Sequence, residues 1–164
     1  MNNRPEHSSS KRENHEKPRR DRDMGKIDRI LIDVQRKLRD SIEAVSLENL
    51  NGFERKRIHS FFDDKEDFET KTYLRNGRSV LKVFPVGNLK RVAKEKAEQV
   101  KQTGQAYTFP YLPGYERYII HNYLQDFEGV ETLSVGEDKE RRLEIRPIKF
   151  GRSLKKIIKK IKLI

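Results

Sequence analysis

An ungapped internal repeat constrains this chain more than any other feature. Shifting the 164-residue sequence by 62 positions lays residues 27–85 on 89–147 without insertion or deletion, and fourteen of the 59 aligned positions are identical. Ten of the fourteen fall within Leu50–Thr70 and its counterpart Leu112–Thr132. One stretch there reads Leu-Asn-Gly-Phe-Glu-Arg-Lys-Arg-Ile-His, the other Leu-Pro-Gly-Tyr-Glu-Arg-Tyr-Ile-Ile-His. Further pairs are conservative, such as Phe53/Tyr115, Phe61/Tyr123 and Val83/Ile145, and both stretches end in proline, Pro85 and Pro147. Such a repeat points to two copies of one small fold. Composition agrees: 34% hydrophobic against 38% charged residues leaves little material for one large core. Units of about 60 residues bury little surface and are marginal alone.

Both copies predict the same series of elements. The first has a helix over Lys26–Arg39, a strand over Ala44–Leu47, a helix over Gly52–Phe62, and strands over Phe68–Arg75 and Arg78–Phe84. The second has a helix over Leu89–Gln102, a strand over Gln105–Phe109, a helix over Gly114–Phe127, and strands over Val130–Val135 and Arg141–Ile148. Local signals support these bounds. Asn51 with Glu54 matches a capping box, Pro113 suits a helix start, and Thr103-Gly104 is a helix stop. Asn76-Gly77 is a two-residue hairpin signal, while Gly136–Glu140 makes a longer turn. The fold class is α+β: two tandem α-β-α-β-β modules, each a three-stranded sheet with two helices on one face and the other face open. The expected division is a disordered basic arm over 1–25, modules over 26–87 and 88–148, and a basic segment over 149–164. Only Val86-Gly87-Asn88 would join the modules.

Net charge is +11, and its placement narrows the partners. Residues 1–26 carry +3, 27–85 carry +1, 86–148 carry zero and 149–164 carry +7. The excess therefore sits in the tails, where it attracts a polyanion: RNA, DNA or an anionic membrane surface. Cysteine is absent, which removes disulfides and thiol or cysteine–metal chemistry. With no apolar run long enough for a membrane span and no signal-peptide core, the expected location is the cytoplasm.

Of four histidines, His59 and His121 occupy equivalent positions in the repeat, each four residues after an arginine, Arg55 and Arg117. Residues i and i+4 share a helix face. In the second copy the apolar stripe is Ile120, Tyr123, Leu124 and Phe127, and Arg117 with His121 projects roughly 60–100° from its centre. A cation beside an aromatic donor at such a flank suits a phosphate or sugar-phosphate contact. The alternative is structural: an arginine stem packed on the surface and a histidine donating to a backbone carbonyl. Arg141 and Arg142 supply further cations in the second copy, only one of which can face Arg117. Lys56, Arg57, Arg75 and Arg78 do so in the first. Tyr118 and Tyr115 are the base-stacking candidates. Of the two, Tyr115, paired with Phe53, is expected in the core. Glu54 and Glu116 sit in first helical turns, where a carboxylate favours the helix dipole. Asp63-Asp64-Lys65-Glu66-Asp67 reads as a solvated helix end, since its counterpart Gln125-Asp126-Phe127-Glu128-Gly129 lacks the ligand set. No metal or cofactor is expected.

An Arg, three residues and a His inside an α-β-α-β-β pattern resembles the R-3-H domain, named for that spacing, and both copies show it. The second copy, over Ala97–Pro147, resembles the C-terminal domain of the bacterial Jag (SpoIIIJ-associated) RNA-binding proteins. The matching residues are Val100-Lys101-Gln102-Thr103-Gly104, Tyr115-Glu116-Arg117-Tyr118-Ile119-Ile120-His121, Leu124-Gln125-Asp126, Gly129–Glu137 and Arg141-Arg142. The first copy departs from it, with Leu74 for Gly136 and Ser79-Val80 for Arg141-Arg142. The resemblance implies binding of single-stranded RNA or DNA, RNA favoured; low sequence specificity is expected because few side chains are placed to read base edges, and no enzymatic activity is expected. The resemblance and the residue reading together give Arg117, His121, Arg141, Arg142, Tyr118, Arg55 and His59 as the expected contacts, with Lys56 and Arg78 as nearby cations of the first copy.

The segment 150–164 sets Leu154, Ile157, Ile158 and Ile161 at helical spacing with lysines between. It is expected to dock on the body, to grip RNA through Lys155, Lys156, Lys159 and Lys160, or to lie on an anionic membrane. A protein or ribosome partner on the open sheet or this helix is the alternative function. A nuclease using His121 would need a second acid–base group or a metal cluster, and the repeat offers neither.

Overall fold

The computed structural model describes residues 25–148. The basic arm before Gly25 and the segment from residue 149, with Lys155, Lys156, Lys159 and Lys160, fall outside the described residues. The chain is α+β, in the order α1 (Lys26–Leu38), β1 (Val45–Leu47), α2 (Gly52–Asp63), β2 (Glu69–Arg75), β3 (Arg78–Phe84), α3 (Val86–Thr103), β4 (Tyr107–Thr108), α4 (Gly114–Leu124), β5 (Val130–Val135) and β6 (Arg142–Pro147). The strands form two antiparallel sheets, β1-β3-β2 and β4-β6-β5. Each sheet is a hairpin whose second strand also pairs with an earlier short strand. Register repeats with the sequence: Val45 and Thr70 flank Val83, as Tyr107 and Thr132 flank Ile145.

The local signals act as their chemistry requires. The Asn51 side chain accepts from the Glu54 N–H, and the Glu54 carboxylate accepts from the Asn51 N–H, both at 2.9 Å. Asn76 and Gly77 take φ of 50° and 73°, the two positive values of a tight hairpin turn. Gly136 sits at φ 87°, and a Cβ there would lie 2.7 Å from the Glu140 carbonyl oxygen, so the second hairpin requires glycine. Bounds differ from expectation where packing decides them. α3 begins at Val86, three residues early, and α4 stops at Leu124. The stripe expected on α4 is also shifted. Glu116, Ile119, Ile120 and Leu124 are buried, while Tyr123 is exposed and Phe127, past the helix end, still packs on the core.

Two cores result, and one strand feeds both. Alternation along β3 turns Leu81 and Val83 into the first core with Leu31, Val34, Ile58 and Phe62. It turns Phe84 the other way, into the second core with Leu89, Ala93, Ile120, Leu143 and Ile145. Ile42 and Ala44 pack on that second core as well. The outer face of the first sheet is therefore partly covered rather than open, because a phenylalanine on it would otherwise lie in water. The outer face of the second sheet, with Leu133 and Val135, is exposed as expected.

No linker separates the halves. Val86, Gly87 and Asn88 form the first turn of α3, entered directly from Pro85. The Gly87 N–H donates to the Asp67 carbonyl at 2.9 Å. The Asn88 amide donates to the carbonyls of Leu38, Ser41 and Arg39 at 2.8, 2.9 and 3.2 Å, closing the end of α1. Carbonyls at a helix C-terminus have no partner within their own helix. Replacing Asn88→Ala removes these donors and should lower unfolding free energy by about 1–3 kcal/mol. Urea titration followed by circular dichroism measures the loss.

Candidate nucleic-acid interface

The Arg and His of each half hold the fold and face solvent at once. Arg117 reaches back over the start of α4, and its Nη1 donates to the Leu112 carbonyl at 2.5 Å. Arg55 does the same to Leu50 at 2.7 Å. Each guanidinium thus pins the loop that leads into its helix. His121 Nδ1 shares a hydrogen bond of 2.5 Å with Thr132 Oγ1, and His59 Nδ1 shares one with Thr70 Oγ1. Those threonines lie on edge strands β5 and β2, facing the helices. Both histidines are exposed, and with Nδ1 engaged, Nε2 is the ring nitrogen left for a ligand. A guanidinium has five donors, so one bond to a carbonyl leaves most of its fork for a phosphate.

The other predicted cations are distributed unevenly around this pair. Arg142 lies on the face of β6 opposite Leu143 and Ile145. Its Nη1 donates to the Lys139 carbonyl at 2.7 Å, and its guanidinium carbon is 5.3 Å from the Tyr111 ring centre. Tyr111 is exposed and adjoins Leu112, whose carbonyl Arg117 holds. Arg142, Tyr111 and Arg117 therefore border one loop. Arg141 precedes β6 instead of starting it, exposed at the end of a 3-10 turn over Asp138–Glu140. In the first half the counterparts of Tyr111 and Arg142 are Asn49 and Val80. A cleft lies there, lined by Glu48, Asn49, Arg75, Asn76, Arg78, Ser79 and Val80. Lys56 is exposed on α2. Tyr118, 58% exposed, stacks on Tyr115 at 5.9 Å, on a different flank of α4 from Arg117 and His121.

Tyr115 is at the junction between halves, and the analogy with Phe53 fails, since Phe53 is 68% exposed. The Tyr115 ring meets Phe84 edge-on at 4.7 Å, its hydroxyl donates to Glu69, and Lys71 Nζ sits 3.5 Å above its centre. Burial, the bond to Glu69 and the nearby hydroxyls of Tyr73 and Tyr118 push its ionisation well above the ordinary range. Sequence reasoning misses Thr70, Thr132 and Tyr111. The threonines are among the fourteen identities and carry a signal there; Tyr111 has no counterpart of its kind.

The two first-turn glutamates differ in state. Lys26 Nζ bonds Glu54 at 2.7 Å, and this, with the bond from the Asn51 N–H, holds that carboxyl below its ordinary 4.5. Glu116, 2% exposed, has Asn88 at the position equivalent to Lys26. Burial raises its pKa, against the attraction of Lys82 and Arg117. A raised folded pKa means stability that is complete below the unfolded value and declines as pH rises through the folded one. Glu116→Gln should therefore raise the melting temperature at pH 7 by a few degrees, with the gain vanishing near pH 4 (roughly the unfolded carboxylate range). Glu54→Gln should lower it at pH 7. Thermal melts across that pH span check both signs.

Among the described residues, no three His, Asp or Glu side chains are grouped to hold a metal ion, and no helix is long and apolar enough to cross a membrane. Asp63, 3.4 Å from His59 Nδ1, is the acidic-run residue nearest the site. No curated protein and no solved structure matches the chain. The segment over residues 87–147, from the first turn of α3 to the end of β6, matches the family model of the R-3-H domain, a domain that generally binds single-stranded RNA or DNA.

Proposed function

We propose that the chain binds single-stranded nucleic acid, RNA in preference to DNA, with low sequence specificity and without chemical change to the strand. The observation that carries this reading is the Arg117–His121 pair within the R-3-H match. One edge of each side chain is tied to the fold; Arg117 keeps the rest of its fork beside the loop that carries Tyr111, and His121 keeps Nε2 at the exposed flank of α4. Such a site grips phosphate and sugar with few groups placed to read base edges.

We read the first half as a divergent copy of the same domain. The 62-residue offset, the repeated strand register and the recurrence of both side-chain bonds support this. The similarity of the second half to the Jag C-terminal domain favours RNA. The second half should also bind more tightly. Asp63 lies beside His59 and repels phosphate, whereas its counterpart Gln125 is uncharged. The basic segments at both ends would add phosphate contacts, in the cytoplasm. A second reading, favoured by the exposed Leu133 and Val135, is a protein contact on the outer face of the second sheet.

Fluorescence anisotropy with an unstructured 12-nucleotide RNA tests the proposal. Arg117→Gln with His121→Gln keeps groups able to hydrogen-bond to Leu112 and Thr132 but removes the charge. Affinity should fall about tenfold, as expected when a charge-assisted bond is removed. The slope of log K against log salt should flatten by about 0.7 for each phosphate that the variant no longer neutralises. The same change at Arg55 and His59 should cost less. An unchanged affinity in the Arg117/His121 variant, with its melt intact, rejects this site.

A further inference from the structure

A second feature of the surface is unexplained by the Arg/His pair. On the outer face of the first sheet, Lys71 stands directly opposite Lys82, and Arg75 directly opposite Arg78. Like charges facing each other across antiparallel strands are destabilising. None of the four forms an ion pair within 4 Å of a described carboxylate, and the one buried carboxyl that Lys82 attracts, Glu116, lies on α4 rather than on this sheet. Glu69, on the same face, is taken by the Tyr115 hydroxyl, and Glu48 lies only at the rim, in the cleft beside Arg75 and Arg78. The second sheet handles its outer cations differently, with Nε and Nη2 of Arg146 donating to the two Glu144 oxygens at 2.8 Å and Arg142 within 3.7 Å of Glu140.

Aromatic rings are interleaved with these cations. Tyr73, opposite Val80 and between the two like-charged pairs, is 39% exposed, with Lys82 Nζ 5.6 Å from its ring centre. Tyr115 follows, wedged on Phe84 beneath Lys71, and Tyr118 stacks on it with its outer face in solvent. Tyr73 and Tyr118 both act electrostatically on the Tyr115 hydroxyl, so the three tyrosines gather at the junction of the halves. The exposed rings of Tyr73 and Tyr118, spaced among cations that make no ion pair on this sheet, match a ligand that alternates flat bases with phosphates.

We propose that this face is a stacking platform for single-stranded nucleic acid, with bases on Tyr73 and Tyr118 and phosphates on Lys71, Lys82, Arg75 and Arg78. The proposal rests on the reading that the ligand is a single strand, and adds a surface apart from the Arg117–His121 flank. Because Tyr118 and Arg117 are on one helix, a strand held at Arg117 passes on to the platform across α4. The two surfaces then act on one ligand at fixed spacing, without a linker to span.

The test uses the full chain with two probes, a 12-nucleotide oligouridylate and an abasic strand of equal length. Stacking contributes about 1–3 kcal/mol per base. Tyr73→Leu with Tyr118→Leu should therefore weaken oligouridylate binding about tenfold or more, and abasic binding less than about twofold. Lys71→Gln with Lys82→Gln should weaken both probes and flatten the salt dependence. As a measurement on the unaltered chain, photocrosslinking with 5-iodouridine should mark Tyr73 or Tyr118. Full oligouridylate affinity in the tyrosine variant, or crosslinks confined to other residues, overturns the platform. If that variant binds normally while the Arg117/His121 variant fails, only the platform is wrong. If the tyrosine variant fails and the Arg117/His121 variant binds normally, the platform stands and the flank does not. If the intact chain binds neither probe, both fall.

Discussion

The side-chain alternation of β3 organises everything else in this protein. One side of the strand closes the first core through Leu81 and Val83; its last residue, Phe84, belongs to the other core. A strand buried on both faces fixes two layers relative to each other, because moving either strips apolar surface from a shared backbone. Pro85 then turns the chain straight into α3, and Asn88 ties that helix back to α1. The halves are thus one packed body, although each has its own sheet and helix pair.

The Arg and His of each half show how a small domain makes scarce groups serve twice. Each polar group that holds a loop or an edge strand is also part of the exposed flank. Side chains so held lose little freedom when a ligand arrives, which lowers the entropy cost of binding. The same bonds make simple truncation ambiguous, since an alanine at Arg117 or His121 would loosen the helix as well as remove a group of the exposed flank. The contrast between Glu54 and Glu116 has a related origin. Where the first half places Lys26 beside its glutamate, the second half has Asn88 serving the junction. Glu116 is left to burial.

Much of this is legible in the sequence because it rests on local chemistry. The Asn51–Glu54 box, the Asn76-Gly77 turn, the Gly136 requirement and the element order follow from residues within a few positions of each other. The repeat adds register, since Val83 and Ile145 must pair alike. What the sequence hides is relational. Phe84 has Arg146 as its counterpart, so nothing in the repeat marks it as a residue buried between sheets. The analogy of Tyr115 with Phe53 fails because the two helices face different neighbours, one the first sheet and the other solvent. The family resemblance groups Arg142 with Arg117, whereas Arg142 reaches that loop through Tyr111, which no periodicity distinguishes.

The contact between halves is heterologous: a sheet face on one side, the start of a helix on the other. A two-fold contact would have used both patches of both halves. Here each half spends one and keeps one. Phe53, at the position of Tyr115, stays in solvent, and Leu133, at the position of Lys71, stays uncovered on the second sheet. The packing is thus polar in the geometric sense, with a head and a tail that differ, so an elongated ligand bound as proposed would meet two unlike halves in a fixed order.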